Sequence, residues 1–375
     1  MSRILKREMI VEGLRRQIVQ GVYPPGARIP PRTSIEKEFR ASTVTVQRAL
    51  DRLISEGFLI ARSQHGTFVV ENPPHLHHYV LLLSHPPVAS SPRFDVTLNQ
   101  EAAKLGKHGA DTLSIFHGVA QAAQLDRYRE LLELIRTKRL AGMIFGFPPG
   151  LVADTPLLTE PGIPRVAILT RHYDCGLPTV CVDYAAFFIR ALDYLHARGR
   201  RRIGFIFMPH VLEYMRQNIH AALAERQMLT RPYWWQFVSF EASAYARECV
   251  HLLMHARQVE RPDGLIIGDD NLLPHAANGL ADAGVRVPDD VEVVAHANFP
   301  DPTPGTMPLK RLGFDCTELL RLCIESLRAQ RRGNTSPFVP LMPVFDNEVA
   351  ERSTMPSAGR EARNAAIRTA EPDSR

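Results

Sequence analysis

The chain of 375 residues is poor in features that would tie a secreted or metal-bound fold together. Its cysteines are odd in number, widely scattered and never spaced as C-x-x-C, which argues against a disulfide framework or a structural zinc site. They are Cys175, Cys181, Cys249, Cys316 and Cys323. We expect them to be buried apolar fillers.

Long apolar runs are also missing. No stretch of about 18 uninterrupted apolar residues occurs, and the N-terminus, MSRILKREMIVEGLRRQ, lacks the apolar block and cleavage site of a signal peptide. These absences predict a cytoplasmic protein that has no membrane partner. Hydrophobic residues make up 45% of the chain, an ordinary content for two or three globular domains at this length.

Positive charge is concentrated at one end of the chain. Residues 1–70 contain 12 Lys+Arg and 6 Asp+Glu, a balance of +6, whereas the remainder contains 33 and 34, a balance of −1. A small basic domain joined to a near-neutral large one is typical of a protein that contacts DNA phosphates with one end. The alternative is a merely solvated surface, because the excess is modest.

Residues 33–70 contain the pattern around which the chain is organised. A short helix is predicted from Thr33 to Phe39, and after Arg40-Ala41 the hydroxyl of Ser42 can cap a second helix. We expect Gly57 to end that second helix. Its apolar residues recur with helical spacing and predict one buried stripe: Val46, Ala49, Leu50, Leu53 and Ile54.

Hydrogen-bonding and cationic side chains are predicted on the opposite face of the second helix. They are Thr43, Thr45, Gln47, Arg48 and Arg52, and such side chains suit a helix whose leading end enters the major groove of DNA. Two short β-branched runs then flank residues 63–66, which predicts a hairpin. Together these features predict a winged helix-turn-helix. The alternative is an ordinary helical pair and hairpin in an unrelated core.

The segments on either side of this region support the same interpretation. A preceding helix lined by Ile10, Leu14 and Ile18 is predicted to pack under it. Paired prolines after it predict a short connector at residues 71–78. The cluster His75-x-His77-His78 there could bind a metal, but no carboxylate or thiol stands beside it, so we favour a solvated linker.

From Tyr79 onward, apolar strand-like runs alternate with amphipathic segments. Continuous apolar strands between helices indicate parallel sheets that are covered on both faces. The alternation restarts near Val166, so two successive α/β blocks predict two lobes with a cleft between them. The predicted fold is an N-terminal winged helix-turn-helix followed by a two-lobed α/β domain that ends with a helix at 316–331 and an apolar run at 338–344.

The changes in composition also predict domain boundaries. Residues 1–71 form the DNA-binding domain, 72–78 the linker and 79–352 the two-lobed domain. Residues 353–375 contain only Met355 and Ile367 as sizeable apolar side chains, so we expect a disordered tail there.

Residues 8–70 contain an ordered series of short motifs. They are Tyr23-Pro24-Pro25-Gly26-Ala27-Arg28-Ile29-Pro30, Ser42-x-x-Thr45-Val46-x-Arg48-Ala49-Leu50, Glu56-Gly57 and Gly66-Thr67-Phe68-Val69. The series resembles the GntR family of bacterial transcription regulators. Thr45, His65 and Gly66 match positions that resemble DNA-contacting ones in the family. With the polar helix residues and the neighbouring positions 32 and 33, the candidate DNA-contacting residues are Arg32, Thr33, Thr43, Thr45, Gln47, Arg48, His65 and Gly66. Thr33, Thr43 and Gln47 stand where the family often has arginine, so the docking mode is implied but the operator sequence is not.

The large domain has motifs of its own. They are Val182-Asp183, the run His196-Ala197-Arg198-Gly199, the run 261–270 (RPDGLIIGDD) and the run 283–291 (AGVRVPDDV). These are similar to the ligand-binding domain of the LacI/GalR regulators, itself like periplasmic sugar-binding proteins. Departures fall at Ile219 and at His296-Ala297-Asn298, where an aromatic residue and an aspartate usually precede the asparagine. A GntR-like head on a LacI-like body resembles the arabinose-type repressors.

Residues just past strand ends are the candidates for binding an effector, because ligands of open α/β folds bind at the carboxyl ends of the strands. Asp270 and Arg216 match ligand-contacting residues of the family, and a carboxylate with a guanidinium can fix the hydroxyls of a polyol. Phe240, Asp183 and Arg171 carry less weight. The alternatives are a helix N-cap for Asp270 and a core position for Phe240.

These features predict a ligand-responsive transcription regulator. We expect a repressor that binds double-stranded operator DNA as a homodimer and is controlled by a sugar or sugar derivative. No catalytic residue, metal site or cofactor is predicted. Two alternatives come from other classes: an enzyme behind a DNA-binding head, for which no cofactor lysine can be located, and a sugar-binding transport protein, which the missing signal peptide and the winged head oppose.

Overall fold

The structure is a computed structural model that describes residues 3–88, 91–108, 111–119, 125–170, 173–209, 215–305 and 307–354. The described residues fold into two compact units. The first unit takes its residues from Met1–Pro86, Gln100–Val180 and Arg321–Phe338, and the second from Pro87–Asn99, Cys181–Leu320 and Val339–Arg375. Arg171 and residues 355–375, for which a disordered tail was expected, lie outside the described residues.

The N-terminal part of the first unit, which we call the head, contains a helical bundle and a two-stranded sheet. Its elements are α1 (Arg3–Val19), α2 (Arg32–Phe39), α3 (Thr43–Ser55), β1 (Leu59–Arg62) and β2 (Gly66–Val69). The Ser42 hydroxyl accepts a hydrogen bond from the Thr45 backbone N–H and caps α3, as predicted. β1 and β2 pair antiparallel with Arg62 opposite Gly66, which gives the expected hairpin, or wing.

One hydrophobic core holds the head together. The apolar stripes predicted for α1 and α3 are buried in it, except that Ile54 is only partly buried and packs against it. The buried members, with two residues from the region of the wing, include Ile10, Leu14, Ile18, Val46, Ala49, Leu50, Leu53, Phe58 and Val69. Complete burial of such a side chain contributes about 1.5–3 kcal/mol. The helical pair and the hairpin are therefore fixed by shared packing.

The connector after the head is more ordered than a solvated linker. It forms the helical turn α4 (Pro74–His77), in which His75 is only 7% exposed and stacks on Phe58 with ring centroids 5.8 Å apart. Burial, assisted by the positive charge of Arg331, lowers the pKa of His75 to about 4. The expectation of solvent around His75 is wrong, because ring packing excludes water.

The other two histidines of the connector have separate partners. His77 Nδ1 lies 3.4 Å from Asp111 Oδ1, and His78 Nε2 lies 2.8 Å from Ser114 Oγ. Within the described ranges, no group of three His, Cys, Asp or Glu side chains is arranged to hold a metal ion.

The remaining elements alternate between strands and helices. The first block contains β3 (His78–Leu83), α5 (Arg93–His108), β4 (Thr112–His117), α6 (Leu125–Arg136), β5 (Gly142–Phe145), α7 (Pro156–Thr159), β6 (Arg165–Leu169) and β7 (Thr179–Val182). The second contains α8 (Tyr184–Ala197), β8 (Ile203–Phe207), α9 (Arg216–Glu225), β9 (Trp235–Phe237), α10 (Ala246–Met254), β10 (Gly264–Ile267), α11 (Leu273–Asp282), β11 (Glu292–Phe299), β12 (Lys310–Asp315), α12 (Cys316–Arg331), β13 (Phe338–Leu341), β14 (Val344–Phe345) and α13 (Asp346–Thr354). Short 3-10 helices lie at Pro149–Val152, Pro232–Trp234 and Phe240–Tyr245.

Two predominantly parallel sheets organise these elements. The strand orders are β13-β7-β6-β5-β3-β4 and β14-β12-β11-β10-β8-β9. β3 pairs parallel with β4 and β5, and β10 pairs parallel with β8 and β11, whereas β14 runs antiparallel to β12. The predicted α/β class is confirmed. No helix of the described residues is both long enough and apolar enough to cross a membrane.

The second block differs in two places from what its apolar runs indicate. The run 237–240 is apolar enough for a strand, but β9 ends at Phe237 and Phe240 begins a 3-10 helix. β12 was not predicted, because Lys310, Arg311 and Gly313 interrupt its apolar pattern. The sheet accepts this strand since its backbone pairs on both sides, with β11 and β14.

Candidate nucleic-acid interface and effector site

A groove on the surface of the head lies where the leading ends of α2 and α3 meet the wing. Its volume is about 500 Å³, and its polar lining includes Arg28, Arg32, Thr33, Glu36, Thr43 and Thr67 together with the backbone of Gly66. Two helix N-termini contribute partial positive charge near the groove. Cationic and hydroxyl side chains beside helix N-termini form a surface that can bind phosphate oxygens.

The first turns of α3 present an exposed set of side chains. Thr43, Val44 and Arg48 are exposed, and Gln47 is half-buried. The amide of Gln47 donates a hydrogen bond from Nε2 to Asp51 Oδ1 at 2.6 Å. Asp51 lies one helical turn further along α3, so this bond fixes the orientation of the amide. The leading end of α3 therefore combines a cation, an oriented amide and one apolar side chain.

Two residues expected on the polar side of α3 are engaged within the protein. Thr45 is 7% exposed, and its Oγ1 lies 2.9 Å from Ser42 Oγ, so it belongs to the helix cap. Arg52 forms ion pairs with Glu8 at 2.5 Å and Glu56 at 2.9 Å. The polar side chains of α3 therefore do not form one uniformly exposed side, since position 45 lies one turn from the buried Ala49.

The wing tip is exposed at His65, whose Nδ1 lies 2.7 Å from the carbonyl oxygen of Ser63. Gly66 has a φ of +107°, and a Cβ there would lie 2.8 Å from Nε of Arg28. Gly66 thus adopts a conformation that side chains disfavour and also leaves space for the Arg28 guanidinium.

Arg28 was not singled out from the sequence, yet it lines the groove. Its segment is hydrogen-bonded along β2: Gly26 N donates to Val69 O, Ile29 N to Thr67 O and Val69 N to Ala27 O. The motif 23–30 was visible in the sequence. Its position beside the wing was not, because this pairing joins segments about forty residues apart in the chain.

In the second unit, Asp270 follows β10 at the carboxyl edge of the sheet. It is only 1% exposed, and Nδ2 of Asn298, near the end of the neighbouring β11, lies 3.0 Å from each of its carboxylate oxygens. Thr303 Oγ1 lies 3.5 Å from Oδ2. The helix-cap alternative does not describe this geometry, since α11 begins at Leu273 with no side-chain cap.

Burial raises the pKa of Asp270 to about 6, although the hydrogen bond from Asn298 and the charge of Arg93 oppose the shift. His296 is also buried, and its Nδ1 lies 3.9 Å from Asp270 Oδ1. Burial lowers the pKa of His296 to about 4, with Asp269 opposing. At neutral pH the imidazole is therefore uncharged and the pair is not an ion pair.

The ring of His296 stands in an aromatic cluster. It stacks on Tyr184 with centroids 5.9 Å apart and meets Phe187 and Phe314 at 5.6 Å. Neither of its ring nitrogens has a hydrogen-bond partner among the described residues. His296 thus packs as an aromatic ring, at the position where the LacI-like pattern usually has an aromatic residue, although the sequence comparison had counted it as a departure.

The other candidate effector residues lie in different surroundings. Arg216 begins α9, is exposed and lies 5.8 Å from the ring of Trp235. Asp183 caps α8 by accepting from Ala186 N at 2.9 Å, and Phe240 is half-buried. Among the described residues, no hydrogen bond or ion pair joins Arg216 or Asp183 to Asp270. Two other residues do contact Asp270. Asn298 was visible in the sequence only within the motif His296-Ala297-Asn298, and the pairing of β10 with β11 brings it near Asp270. Thr303, in the loop after β11, had no sequence signal.

Comparisons with known proteins find one family match in the head and another in the α/β part of the chain. Residues 6–69 match the bacterial regulatory proteins of the gntR family, and residues 192–354 match the periplasmic binding protein-like domain. The HTH-type transcriptional regulator GmuR of Bacillus subtilis is 42% identical over 67 residues, which are 18% of this chain and 28% of that protein. The arabinose metabolism transcriptional repressor of Halalkalibacterium halodurans is 21% identical over 356 residues, covering 87% of this chain and 91% of that protein.

A solved structure extends the comparison to the fold. The regulatory protein of the LacI family from Chloroflexus aggregans aligns with a TM-score of 0.56 at 18% identity, covering 72% of this chain and 96% of that one. The chain therefore joins a GntR-type helix-turn-helix domain to a periplasmic-binding-protein-like domain with the LacI-type fold. The resemblance predicted from the sequence is confirmed, and the relatives named here are transcription regulators rather than enzymes.

Proposed function

We propose that this protein is a transcription repressor that binds operator DNA through its head and changes its DNA affinity when a sugar or sugar derivative binds to its α/β domain. The observation that carries the proposal is the groove in which Arg32, Thr33, Thr43 and Gly66 come together beside Arg28. Its setting within a GntR-type domain supports DNA as the partner.

In the proposed complex, the leading end of α3 lies in the major groove, where Gln47 and Arg48 face base edges. Arg28 and Arg32 contact phosphates beside the helix N-termini, and His65-Gly66 approaches the sugar-phosphate backbone at the wing. One head contacts few bases, so we propose a homodimer on an operator with approximate two-fold symmetry.

For the effector, we propose that Asp270 and Arg216 fix ligand hydroxyls. The ionised carboxylate accepts and the guanidinium donates, which is the pairing that a polyol requires. The similarity to an arabinose metabolism repressor, which extends over 87% of the chain, supports a sugar-like ligand. Removing either group leaves ligand hydroxyls without a partner, at a cost of about 1–3 kcal/mol per hydrogen bond, or roughly ten- to a hundredfold in affinity.

The test begins by selecting duplexes from a random pool with the purified protein and by screening sugars for an increase in melting temperature. Binding of a selected duplex is then measured by fluorescence anisotropy with and without the stabilising sugar. Asp270→Ala, Asp270→Asn and Arg216→Ala should bind the duplex but respond to the sugar only at much higher concentrations.

Matched controls are Asp290→Ala and Arg286→Ala, which remove an exposed ion pair of the same unit. Both should respond like wild type. If the Asp270 and Arg216 variants also respond at wild-type concentrations, the effector site lies elsewhere. If no duplex is enriched, the proposal of DNA binding fails.

A further inference from the structure

We infer that Val44 is a base-reading residue, whose side chain contacts the 5-methyl group of a thymine in the operator. The inference rests on the proposed function and deepens it by assigning part of the operator's sequence preference. It gives the head a contact that discriminates one base pair by an apolar group.

Val44 is the second residue of α3 and is 61% exposed. The other large aliphatic side chains of that helix belong to the core of the head: Val46, Leu50 and Leu53 are buried, and Ile54 is partly buried and packs against them. An exposed β-branched residue adds no core packing and is a slightly unfavourable helix former. Folding of the head therefore does not account for an aliphatic side chain at this position.

The major groove offers a group that an aliphatic side chain can recognise. Thymine alone presents a methyl group there, and apolar side chains discriminate it through direct contact. Val44 lies at the leading end of α3, which is the part of a recognition helix that contacts base edges. Burial of one methyl group is worth about fourfold in affinity.

Gln47, one helical turn beyond Val44, also favours an A·T base pair in the operator. Residues spaced i and i+3 on a helix lie about 5–6 Å apart, which matches one or two steps between base pairs. Because one N–H of the Gln47 amide is held by Asp51, its other N–H and its oxygen remain to face a base. Adenine accepts at N7 and donates at N6, so a glutamine held in this way fits adenine, whose partner is thymine.

The experiment uses the full chain and a duplex that the wild-type protein selects from a random pool. Each thymine of the selected site is replaced in turn by deoxyuridine, which removes the methyl group and leaves base pairing intact. Affinities are measured for wild type, Val44→Ala, Val44→Thr and the control Val22→Ala, which deletes the same atoms from another exposed valine of the head.

For wild type and Val22→Ala, we expect deoxyuridine at one thymine of each half-site to weaken binding about fourfold. Val44→Ala should bind the thymine duplex about four- to tenfold more weakly and be insensitive to deoxyuridine at that position. Val44→Thr, which keeps one methyl group, should retain part of the sensitivity.

The inference is overturned if no position shows methyl dependence, or if Val44→Ala and wild type lose equal affinity at every position. A selected consensus without a fixed A·T pair overturns it as well. Since these outcomes all require a duplex bound by the wild-type protein, they are distinct from failure to enrich any duplex, which would overturn the proposed function and this inference together.

Discussion

The groove of the head and the Asp270 cluster of the second unit, formed by Asp270, Asn298 and Thr303, differ in the exposure of their polar side chains. In the groove, Arg32, Thr33 and Thr43 are exposed at helix ends. In the cluster, Asp270 and Asn298 are buried at the edge of a sheet and bind each other. An exposed surface can attract a polyanion over a distance, with a strength that salt reduces. The charge of a buried carboxylate instead depends on pH and on the hydrogen-bond partners that replace water around it.

The two regions should differ most in their tolerance of an added methyl group. At Gly313 of β12, a Cβ would lie 1.8 Å from the carbonyl oxygen of Ala297 in the neighbouring strand, which cannot move independently of the sheet. We expect Gly313→Ala to lower the free energy of unfolding by more than about 4 kcal/mol or to prevent folding. Urea denaturation measures this.

The comparison variant for this test is Gly66→Ala in the wing. There the added Cβ meets the Arg28 side chain, which can rotate away, so the loss of stability should be much smaller. Equal losses for the two variants would contradict the rigidity assigned to the sheet around Asp270.

The second prediction concerns base contacts at the leading end of α3. Replacing Gln47 and Arg48 together by Ala should weaken specific DNA binding a hundredfold or more, because each good contact to a base is worth about 1–3 kcal/mol. Fluorescence anisotropy with the selected duplex at two salt concentrations measures it, and Arg286→Ala serves as the control for charge. A double variant with wild-type affinity and footprint would place the recognition helix elsewhere.

The third prediction uses the pKa of Asp270, which is raised to about 6 in the folded protein. The folded state holds the proton of Asp270 more tightly than the unfolded state does. The contribution of this carboxyl to stability should therefore be greatest below about pH 4 and be lost as the pH rises through 6. Asp270→Asn stays neutral and should gain about 2 kcal/mol relative to wild type between pH 4 and pH 7. Urea titrations across this range would show parallel curves if the carboxyl were not buried.

The smallest effect is expected at the wing. Gly66→Val introduces a β-branched residue at a φ of +107° beside Arg28, so the wing should be distorted locally and DNA affinity should fall about tenfold. The melting temperature of the α/β domain should stay nearly unchanged, because the wing forms its own two-stranded sheet. Equal loss of both properties would make Gly66 a structural residue rather than part of the interface.

Local patterns of the sequence were sufficient to predict the head. The serine cap, the helical stripe and the terminating glycine each act within a few residues, and all three are present in the structure at Ser42, Val46–Leu53 and Gly57. Strands such as β10 were equally predictable, because a parallel strand buried on both faces is a continuous apolar run. Helix α12 was predicted at 316–331, the bounds that it has in the structure, because its apolar residues recur with helical spacing.

Contacts between segments that are far apart in the chain decided which side chains meet. The sequence placed Asp270 after a strand, but only the parallel pairing of β10 with β11 brings Asn298 to its carboxylate. Arg28 reaches Gly66 because its segment pairs with β2, and His75 is buried because α4 packs its ring on Phe58. Periodicity thus determined the class of most elements, and short motifs determined the likeness to known regulators. The partners of each candidate side chain, and with them its charge and exposure, were set by contacts between segments that are distant in the chain, which no local pattern encodes.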